Sequence, residues 1–483
     1  MNETSNKPFF ITTAIDYVNA EPHVGHAVEK VLTDVVARYH RDILKEDTYF
    51  LTGSDENSLK NVQAAEKTGK SVETFIAENT ESFQELAQSL NLSIDQFIRT
   101  TEKRHFAGAK KLWSAMSQED IYKKQYSGLY CVGCEEFKQE NDLVEGKCSE
   151  HNVAPEKVEE ENYFFRLSAY QERLRQLIEK DTIKIIPEYR KNEVLSFIKM
   201  GLEDFSISRS VARAKGWGVP VPGDETQIMY VWVDALSNYI TALDYATEGE
   251  KYQKYWTNAK SERVHIIGKG ILRFHAVYWP AMLLSAKLPL PTQIYAHEYL
   301  TINGQKMSKS LGNVISPREL VEKYGIDGTR YLLLTALPYS KDGDISWEKM
   351  TEKYNADLAN GLGNLVSRVL KLTEKLTDEN KKKINKMYHS NYSNQGFINE
   401  YRFNEALVTI WGLVNGANIY SDRNKPWELV GKNDIQFTEV MRNLMRQLGE
   451  IAYDIQPFMP ETAEKIKKAL REGKTGPLFQ RIG

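Results

Sequence analysis

The sequence predicts an α/β protein: a doubly wound parallel sheet, interrupted by an insertion and followed by a bundle of helices. Three observations predict it. A run suited to a buried strand, Phe9-Phe10-Ile11-Thr12-Thr13, leads through the tight segment Pro22-His23-Val24-Gly25-His26 into a helical apolar face. The alternation of strands and helices breaks between residues 116 and 230, where all three cysteines lie, and resumes after Val231. Beyond residue 352 almost every segment reads as helix.

At 483 residues the chain is long enough for roughly two to four domains, each with its own core. The net charge of −3 excludes the global basic field of small nucleic-acid binders, although local patches can still hold a polyanion. The first residues, Met1-Asn2-Glu3-Thr4-Ser5-Asn6, are polar with no apolar stretch behind them, so no secretory signal is expected. No apolar run approaches a membrane span; Ala281-Met282-Leu283-Leu284 is among the longest. A cytoplasmic protein without a membrane association is expected.

In chain order, residues 1–115 form the first half of the sheet domain. Val28, Val31, Leu32, Val35, Val36 and Tyr39 recur at helical spacing, so His23 and His26 fall where a helix begins after a strand. Such a place suits phosphates, because the first backbone N–H groups and the helix dipole face outward there. Taken alone, a histidine there is more often a cap or a core residue than a phosphate ligand. Gly25, lacking a Cβ, lets a flat base approach the backbone. A second strand, Tyr49-Phe50-Leu51, should run into a polar turn, Thr52-Gly53-Ser54-Asp55-Glu56-Asn57, before a helix over 72–90.

Residues 116–230 read as an insertion. Cys131-x2-Cys134, thirteen residues, then Cys148-x2-His151 is a complete set of two tight ligand pairs, the spacing with which thiolates and an imidazole close a tetrahedron around Zn2+. Four protein ligands leave no open position, so one structural ion is expected. Residues 231–330 complete the sheet, with a strand at 264–267, a helix over 271–286 kinked at Pro280, and a strand at 293–296. Asn303-Gly304 marks a turn just before Lys306-Met307-Ser308-Lys309-Ser310. Residues 331–352 form a linking segment. Residues 353–483 form the helical domain, with helices over 356–372, 403–421, 439–453 and 461–470 and a polar connection at 380–393.

Taken together, His-Val-Gly-His at 23–26 and Lys-Met-Ser-Lys-Ser at 306–310 resemble the two signatures of class I aminoacyl-tRNA synthetases, whose catalytic domain is Rossmann-like. Ile207-Ser208-Arg209, Tyr230-Val231-Trp232-Val233-Asp234-Ala235, Phe274-His275 before Trp279-Pro280, Asn364-Leu365-Val366-Ser367-Arg368 and Lys425-Pro426-Trp427 resemble stretches of the methionyl-tRNA synthetase family. The resemblance covers nearly the whole chain and implies a methionine–tRNA ligase using ATP as its Mg2+ complex, with tRNA(Met) as partner. His23 and His26 would donate to phosphate oxygens. Lys306 and Lys309, with Ser308, would close over the triphosphate. The resemblance implies that Asp55 holds the substrate ammonium and Arg209 its carboxylate. It also implies that Ala14, Ile15, Tyr17, Trp232, Ala235, Tyr239, Ile271 and His275 form the methionine pocket, where rings suit a polarisable thioether. Asn364 and Arg368, one helical turn apart, would bond anticodon bases, and Trp427 would stack on one.

The sequence departs from the family at Asp16, Asn57, Ser58, Gly270 and Glu298, where the family usually carries an aromatic or proline, His, Gly, Asp and Gly in turn. A working but diverged enzyme is expected. The alternatives are a tRNA-binding paralogue with a decayed site, or one activating another amino acid. No β-rich tail follows the bundle, so a monomer is expected.

Overall fold

The computed structural model describes residues 7–133, 136–138, 143–149, 152–307, 314–377, 379, 394–473 and 476–483. The chain divides into two compact units. The first comprises Met1–Pro22, Glu46–Ala87 and Ser93–His297; the second comprises His23–Lys45, Gln88–Leu92 and Glu298–Gly483.

The first unit is built on a seven-stranded sheet, parallel throughout. Its order is Lys184–Ile186, Gln293–His297, Glu262–Gly268, Pro8–Thr13, Asp47–Asp55 and Asp16–Tyr17, with Gln96–Arg99 also paired to Asp47–Asp55. Pro8–Thr13 is buried along its whole length, as a central parallel strand must be. Phe10 packs edge-on against Trp256, and Trp256 and Trp279 are fully enclosed. The expected turn at 52–57 is mostly strand: Asp47–Asp55 continues through it, with Ser54 in register with both Asp16 and Arg99. Neighbours on both sides supply ladder bonds, and Thr13 Oγ1 meets Thr52 Oγ1 at 2.7 Å, so the polar residues are satisfied within the sheet. The expected helix over 271–286 is also different. It breaks into a tight turn, Lys269–Ile271, a wide turn, Phe274–Tyr278, and a helix, Trp279–Ser285, in which Pro280 occupies the first turn rather than a kink.

The insertion contributes a four-stranded antiparallel sheet, in the order Phe205–Ser206, Glu156–Phe165, Ile121–Cys131 and Glu136–Lys138. A three-stranded sheet follows, made of Ser208–Ser210, Asp224–Met229 and Pro220–Val221.

The second unit joins the Val24–Arg38 helix to the C-terminal helices Asn364–Thr373, Phe403–Asn424, Asp434–Asp454 and Pro460–Glu472. Asn303 and Gly304 both have positive φ and close a hairpin between Leu300–Ile302 and Gln305–Lys306, which is where the sequence placed the turn. The Pro317–Ala336 helix breaks at Gly325 (φ 71°, ψ 171°) and carries Arg330, which is wholly buried. Its guanidinium pairs with Asp34 at 2.7 Å and donates to the carbonyls of Phe458 (2.8 Å), Pro457 (3.1 Å) and Leu90 (3.2 Å). Arg38 Nε donates to the same Asp34 oxygen at 2.8 Å.

Replacing Arg330 with Met should cost about 3–5 kcal/mol, because Asp34 stays buried with half its pairing and three carbonyls lose their donor. A urea unfolding midpoint should fall accordingly. Arg318→Ala, which removes an exposed ion pair with Glu322, should leave it unchanged. Equal midpoints for the two variants would refute the assignment.

Candidate active site

In the second unit, His23 is the N-cap of the Val24–Arg38 helix. Its Nδ1 accepts from the Gly25 N–H at 3.1 Å, and His26 Nδ1 accepts from the His23 N–H at 3.1 Å. The rings stack with centroids 3.8 Å apart. Each Nδ1 is committed as an acceptor, so the neutral rings carry their proton on Nε2. A Cβ on Gly25 would come within 2.9 Å of His23 Cε1 and 3.3 Å of Met307 Cε. The glycine therefore makes room for the ring of His23 itself. Met307 belongs to the second signature, and the Val24 N–H bonds Ile315 O at 3.2 Å, so both flanks of the lysine-serine loop meet the start of this helix. Lys306 ends the hairpin strand. Its side chain, and all of Ser308 and Lys309, lie outside the described residues.

In the first unit, the Val231–Thr241 helix and the turns after the Glu262–Gly268 strand bring Trp232, Tyr239, Ile271 and His275 together. His275 Nδ1 lies 2.9 Å from the Ile271 carbonyl and Nε2 lies 2.7 Å from Tyr239 Oη. A carbonyl only accepts, so Nδ1 carries the proton and the tyrosine hydroxyl donates to Nε2. Trp232 stacks on Phe274 at 3.8 Å and stands edge-on to His275 at 6.4 Å. Its Nε1 is buried with no protein acceptor, a donor of the kind a ligand satisfies. Ala14 and Tyr239 belong to the same core as Trp232, and Ile15, Tyr17 and Ile271 pack against it. Ala235 lies on the same helix, buried. Behind this group His265 bonds Thr12 through Nδ1 (2.9 Å) and lies 4.0 Å from the Tyr239 ring. Burial, then the nearby His275 and Arg263, hold its pKa well below the ordinary histidine value, so it stays neutral at physiological pH.

Asp55 ends its strand in register with Tyr17 and is 3 % exposed. Arg209 is also buried; its guanidinium faces the rings of Tyr130 (5.8 Å) and Tyr230 (5.5 Å), both in the insertion, and donates to Tyr130 Oη at 3.3 Å.

Two departures from the family have structural work. Ser58 caps the Leu59–Thr68 helix, its hydroxyl accepting from Asn61 N. Asn57 Nδ2 donates to Asp234 Oδ2 (2.8 Å) and to Thr100 O (3.0 Å), and its backbone N–H reaches Asp55 Oδ1 at 3.3 Å. Asp234 takes its second bond from His105 Nε2 at 2.5 Å, and His105 Nδ1 meets Thr241 Oγ1 at 2.8 Å. The sequence flagged Asp234 within a motif, but nothing in its spacing pointed to His105. Next to it, Glu56 is wholly buried among Ser54, Thr80, Arg99 and Thr101. Gly270 is exposed in the single turn Lys269–Ile271, whereas Glu298 is buried.

In the helical part of the second unit, Asn364, Arg368 and Trp427 line one cavity of about 900 Å3, with Lys371, Lys375, Asn418 and Asp422 among its other walls. Arg368 donates to Asp422 (2.8 Å) and Asn418 (2.7 Å) and lies 6.0 Å from the Trp427 ring centre. Those two acceptors hold the guanidinium plane in place. They come from a different helix, so sequence spacing could not pair them with Arg368. Lys371 and Lys375 continue the Asn364–Arg368 face at helical spacing, a signal that was legible.

In the insertion, Cys131 and Cys148 are buried and neither forms a disulfide. Cys148 is gripped by a tight turn, its N–H bonding Val153 O and its carbonyl accepting from Asn152 N. Cys134 and His151 lie outside the described residues.

The chain matches the family model for class I tRNA synthetases of the M type over residues 9–154 and 138–370. It is 42% identical over 478 residues to the methionine–tRNA ligase of Brucella suis, covering 96% of this chain and 91% of that one. It is 42% identical to the methionine–tRNA ligase of Caldanaerobacter subterraneus, covering 96% of this chain and 74% of that one. Among solved structures it resembles the Mycobacterium tuberculosis methionyl-tRNA synthetase in complex with methionyl-adenylate. The TM-score is 0.87 at 40% identity, over 95% of this chain and 93% of that one.

Proposed function

Since the chain belongs to the class I tRNA synthetases of the methionine type, we propose a division of labour for its residues in two half-reactions. The enzyme activates methionine with ATP and transfers it to tRNA(Met). In the first step a methionine carboxylate oxygen attacks the α-phosphorus, the bond to the bridging oxygen of the β-phosphate breaks, and pyrophosphate leaves. In the second the 2′-hydroxyl of the terminal adenosine attacks the activated carbonyl, its proton is released, and AMP leaves.

The first step needs almost no proton transfer, so catalysis is positioning and charge stabilisation. The observation that carries this reading is the histidine cap. Both Nδ1 atoms accept from backbone N–H groups, which puts the protons of the neutral, stacked rings of His23 and His26 on Nε2 at a helix N-terminus, next to Met307. Lys306, Ser308 and Lys309 are assigned to the triphosphate by the family resemblance, which favours Lys309 for the leaving pyrophosphate. Mg2+ accompanies ATP and supplies charge neutralisation when bound.

On the amino-acid side, Asp55 takes the ammonium and Arg209 the carboxylate, opposite charges that fix orientation. Ala14, Ile15, Tyr17, Trp232, Ala235, Tyr239, Ile271 and His275 surround the side chain. The Tyr239 proton is engaged by His275, so selection of the thioether rests on shape and ring polarisability rather than on a donated hydrogen bond. The cavity of Asn364, Arg368 and Trp427 takes unpaired anticodon bases, with Lys371 and Lys375 placed for phosphates. No described helix is long and apolar enough to cross a membrane. A cytoplasmic monomer is part of this reading.

Zinc fits the insertion. Two buried thiols outside any disulfide, one held by a tight turn, suit two of four ligands, and Cys134 and His151 would complete the tetrahedron. When bound, the ion would hold these turns together and leave no position for a substrate.

The tRNA side is tested by charging. Trp427→Ala and Arg368→Ala should each lower methionyl-tRNA formation by about a hundredfold or less, in line with about 1–3 kcal/mol per stacked or bonded base. Methionine-dependent exchange of pyrophosphate into ATP should stay at the wild-type rate. Unchanged charging in both variants would remove the cavity from anticodon recognition. For the metal, atomic absorption should find one zinc per chain, lost in Cys148→Ser together with resistance of the insertion to proteolysis. Full zinc content in that variant would overturn the ligand set.

A further inference from the structure

A chain of buried polar side chains runs through the first unit, between elements that carry residues assigned to methionine. His105 stands on the Lys103–Ala115 helix, and Asp234 and Thr241 on the Val231–Thr241 helix. A carboxylate only accepts, so His105 Nε2 carries a proton and donates to Asp234 Oδ1 at 2.5 Å. Its Nδ1 meets Thr241 Oγ1 at 2.8 Å, two helical turns further on. One imidazole thus holds at two points the helix that carries Trp232, Ala235 and Tyr239. The two helices are in close contact: a Cβ on Gly108, one turn after His105, would come within 2.4 Å of Thr241 Cγ2. From Asp234 the chain continues to the strand end that carries Asp55. Asn57 Nδ2 donates to Asp234 Oδ2 at 2.8 Å, and the Asn57 N–H reaches Asp55 Oδ1 at 3.3 Å. Asn61 Nδ2 donates to the Asp55 carbonyl at 2.8 Å, and Asn57 Nδ2 to the Thr100 carbonyl at 3.0 Å, so the backbone around this junction is tied down as well.

We infer that His105 is a positioning residue for methionine binding, fixing the Asp55 carboxylate against the helix of the thioether pocket through Asp234 and Asn57. The inference rests on the ligase reading above, in which Asp55 takes the ammonium. By that reading His105 touches no substrate. Asp234 is held by His105 on one oxygen and by Asn57 on the other, so it cannot turn without giving up a charge-assisted bond in a desolvated site. An apolar side chain in place of His105 would leave one carboxylate oxygen buried without its donor, and Asp234 would turn toward what remains. The helix of Trp232 and the segment of Asp55 would then be free to drift apart. Methionine is gripped at both ends, by Asp55 and by rings, so such drift weakens it selectively. A ligand lacking the ammonium does not use Asp55, and the phosphates of ATP are assigned to the second unit, so neither should feel the change.

The test is methionine-dependent exchange of pyrophosphate into ATP by the full-length protein, with methionine and ATP varied separately. Desaminomethionine, which lacks only the amino group, serves as a competing inhibitor. His105→Phe removes both ring nitrogens and keeps a ring, and His105→Gln keeps an amide donor for Asp234. His105→Phe should raise KM for methionine about tenfold or more, the worth of a bond to a charged group. KM for ATP and the inhibition constant of desaminomethionine should stay at their wild-type values, and His105→Gln should recover most of the methionine affinity. If His105→Phe does not fold, Asn57→Ala cuts the same chain on its other side and should show the same split. Parallel rises in both KM values, or a lower rate with the methionine KM unchanged, would make His105 merely structural and overturn the inference. An analogue weakened as much as methionine would overturn it too, because the damage would lie in the thioether pocket and not at Asp55. A wild type with no methionine-dependent exchange would instead refute the ligase reading, and an Asp55→Ala variant with the wild-type methionine KM would refute the assignment of Asp55; both are separate outcomes.

Discussion

The second unit depends on a guanidinium enclosed by protein. Arg330 joins Asp34, on the helix that opens with His23, to the carbonyls of Pro457 and Phe458 at the foot of the last helix, and to Leu90. Desolvating a charge is costly, and here the cost is offset by charge pairing and three carbonyl acceptors in fixed positions. The same carboxylate holds Arg38, whose other arm reaches Asn91 O at 2.6 Å. A buried pair of this sort contributes little net stability compared with apolar packing. It does make the register between these segments intolerant of slippage, so the histidine cap is fixed to the unit that also carries the Arg368 cavity.

The first unit repeats the tactic with carboxylates. Asp234 sits between Asn57 and His105, and Glu56 between hydroxyls and Arg99, all inside the sheet domain. Glu56 directly follows Asp55, and Asp234 lies on the same helix as Trp232, where a purely apolar core would leave neighbouring side chains free to repack. Asn57 and Ser58 both take part in this polar packing. An amide can donate to Asp234 in one direction and to a backbone carbonyl in another, and a serine hydroxyl caps the following helix. Both residues are therefore satisfied where they stand. Glu298 differs in kind, because it buries an added carboxylate at the end of the Gln293–His297 strand.

Legibility followed the physical range of each signal. Strand Pro8–Thr13, the start of the Val24–Arg38 helix, the Asn303–Gly304 turn and the C-terminal helices were readable because periodicity, turn chemistry and capping act within a few residues. The strand through Thr52–Asp55 was not, because its polar residues are paid for by flanking strands remote in sequence. The wide turn at Phe274–Tyr278 was hidden for a similar reason: its residues have helical spacing, and only packing chose the looser winding. Within the site, motifs named the residues that would meet a ligand. Those that hold them, Asn418 and Asp422 behind Arg368 or His105 behind Asp234, come from other elements and left no local pattern.

The central claim is that this diverged constellation still activates methionine. The most direct measurement is exchange of labelled pyrophosphate into ATP by the purified protein, with each of the proteinogenic amino acids supplied in turn. Exchange should appear with methionine alone and should vanish in His23→Ala, which keeps the backbone N–H bond of residue 23 to His26 Nδ1. Exchange supported better by another amino acid, or none at all from folded protein, would contradict it.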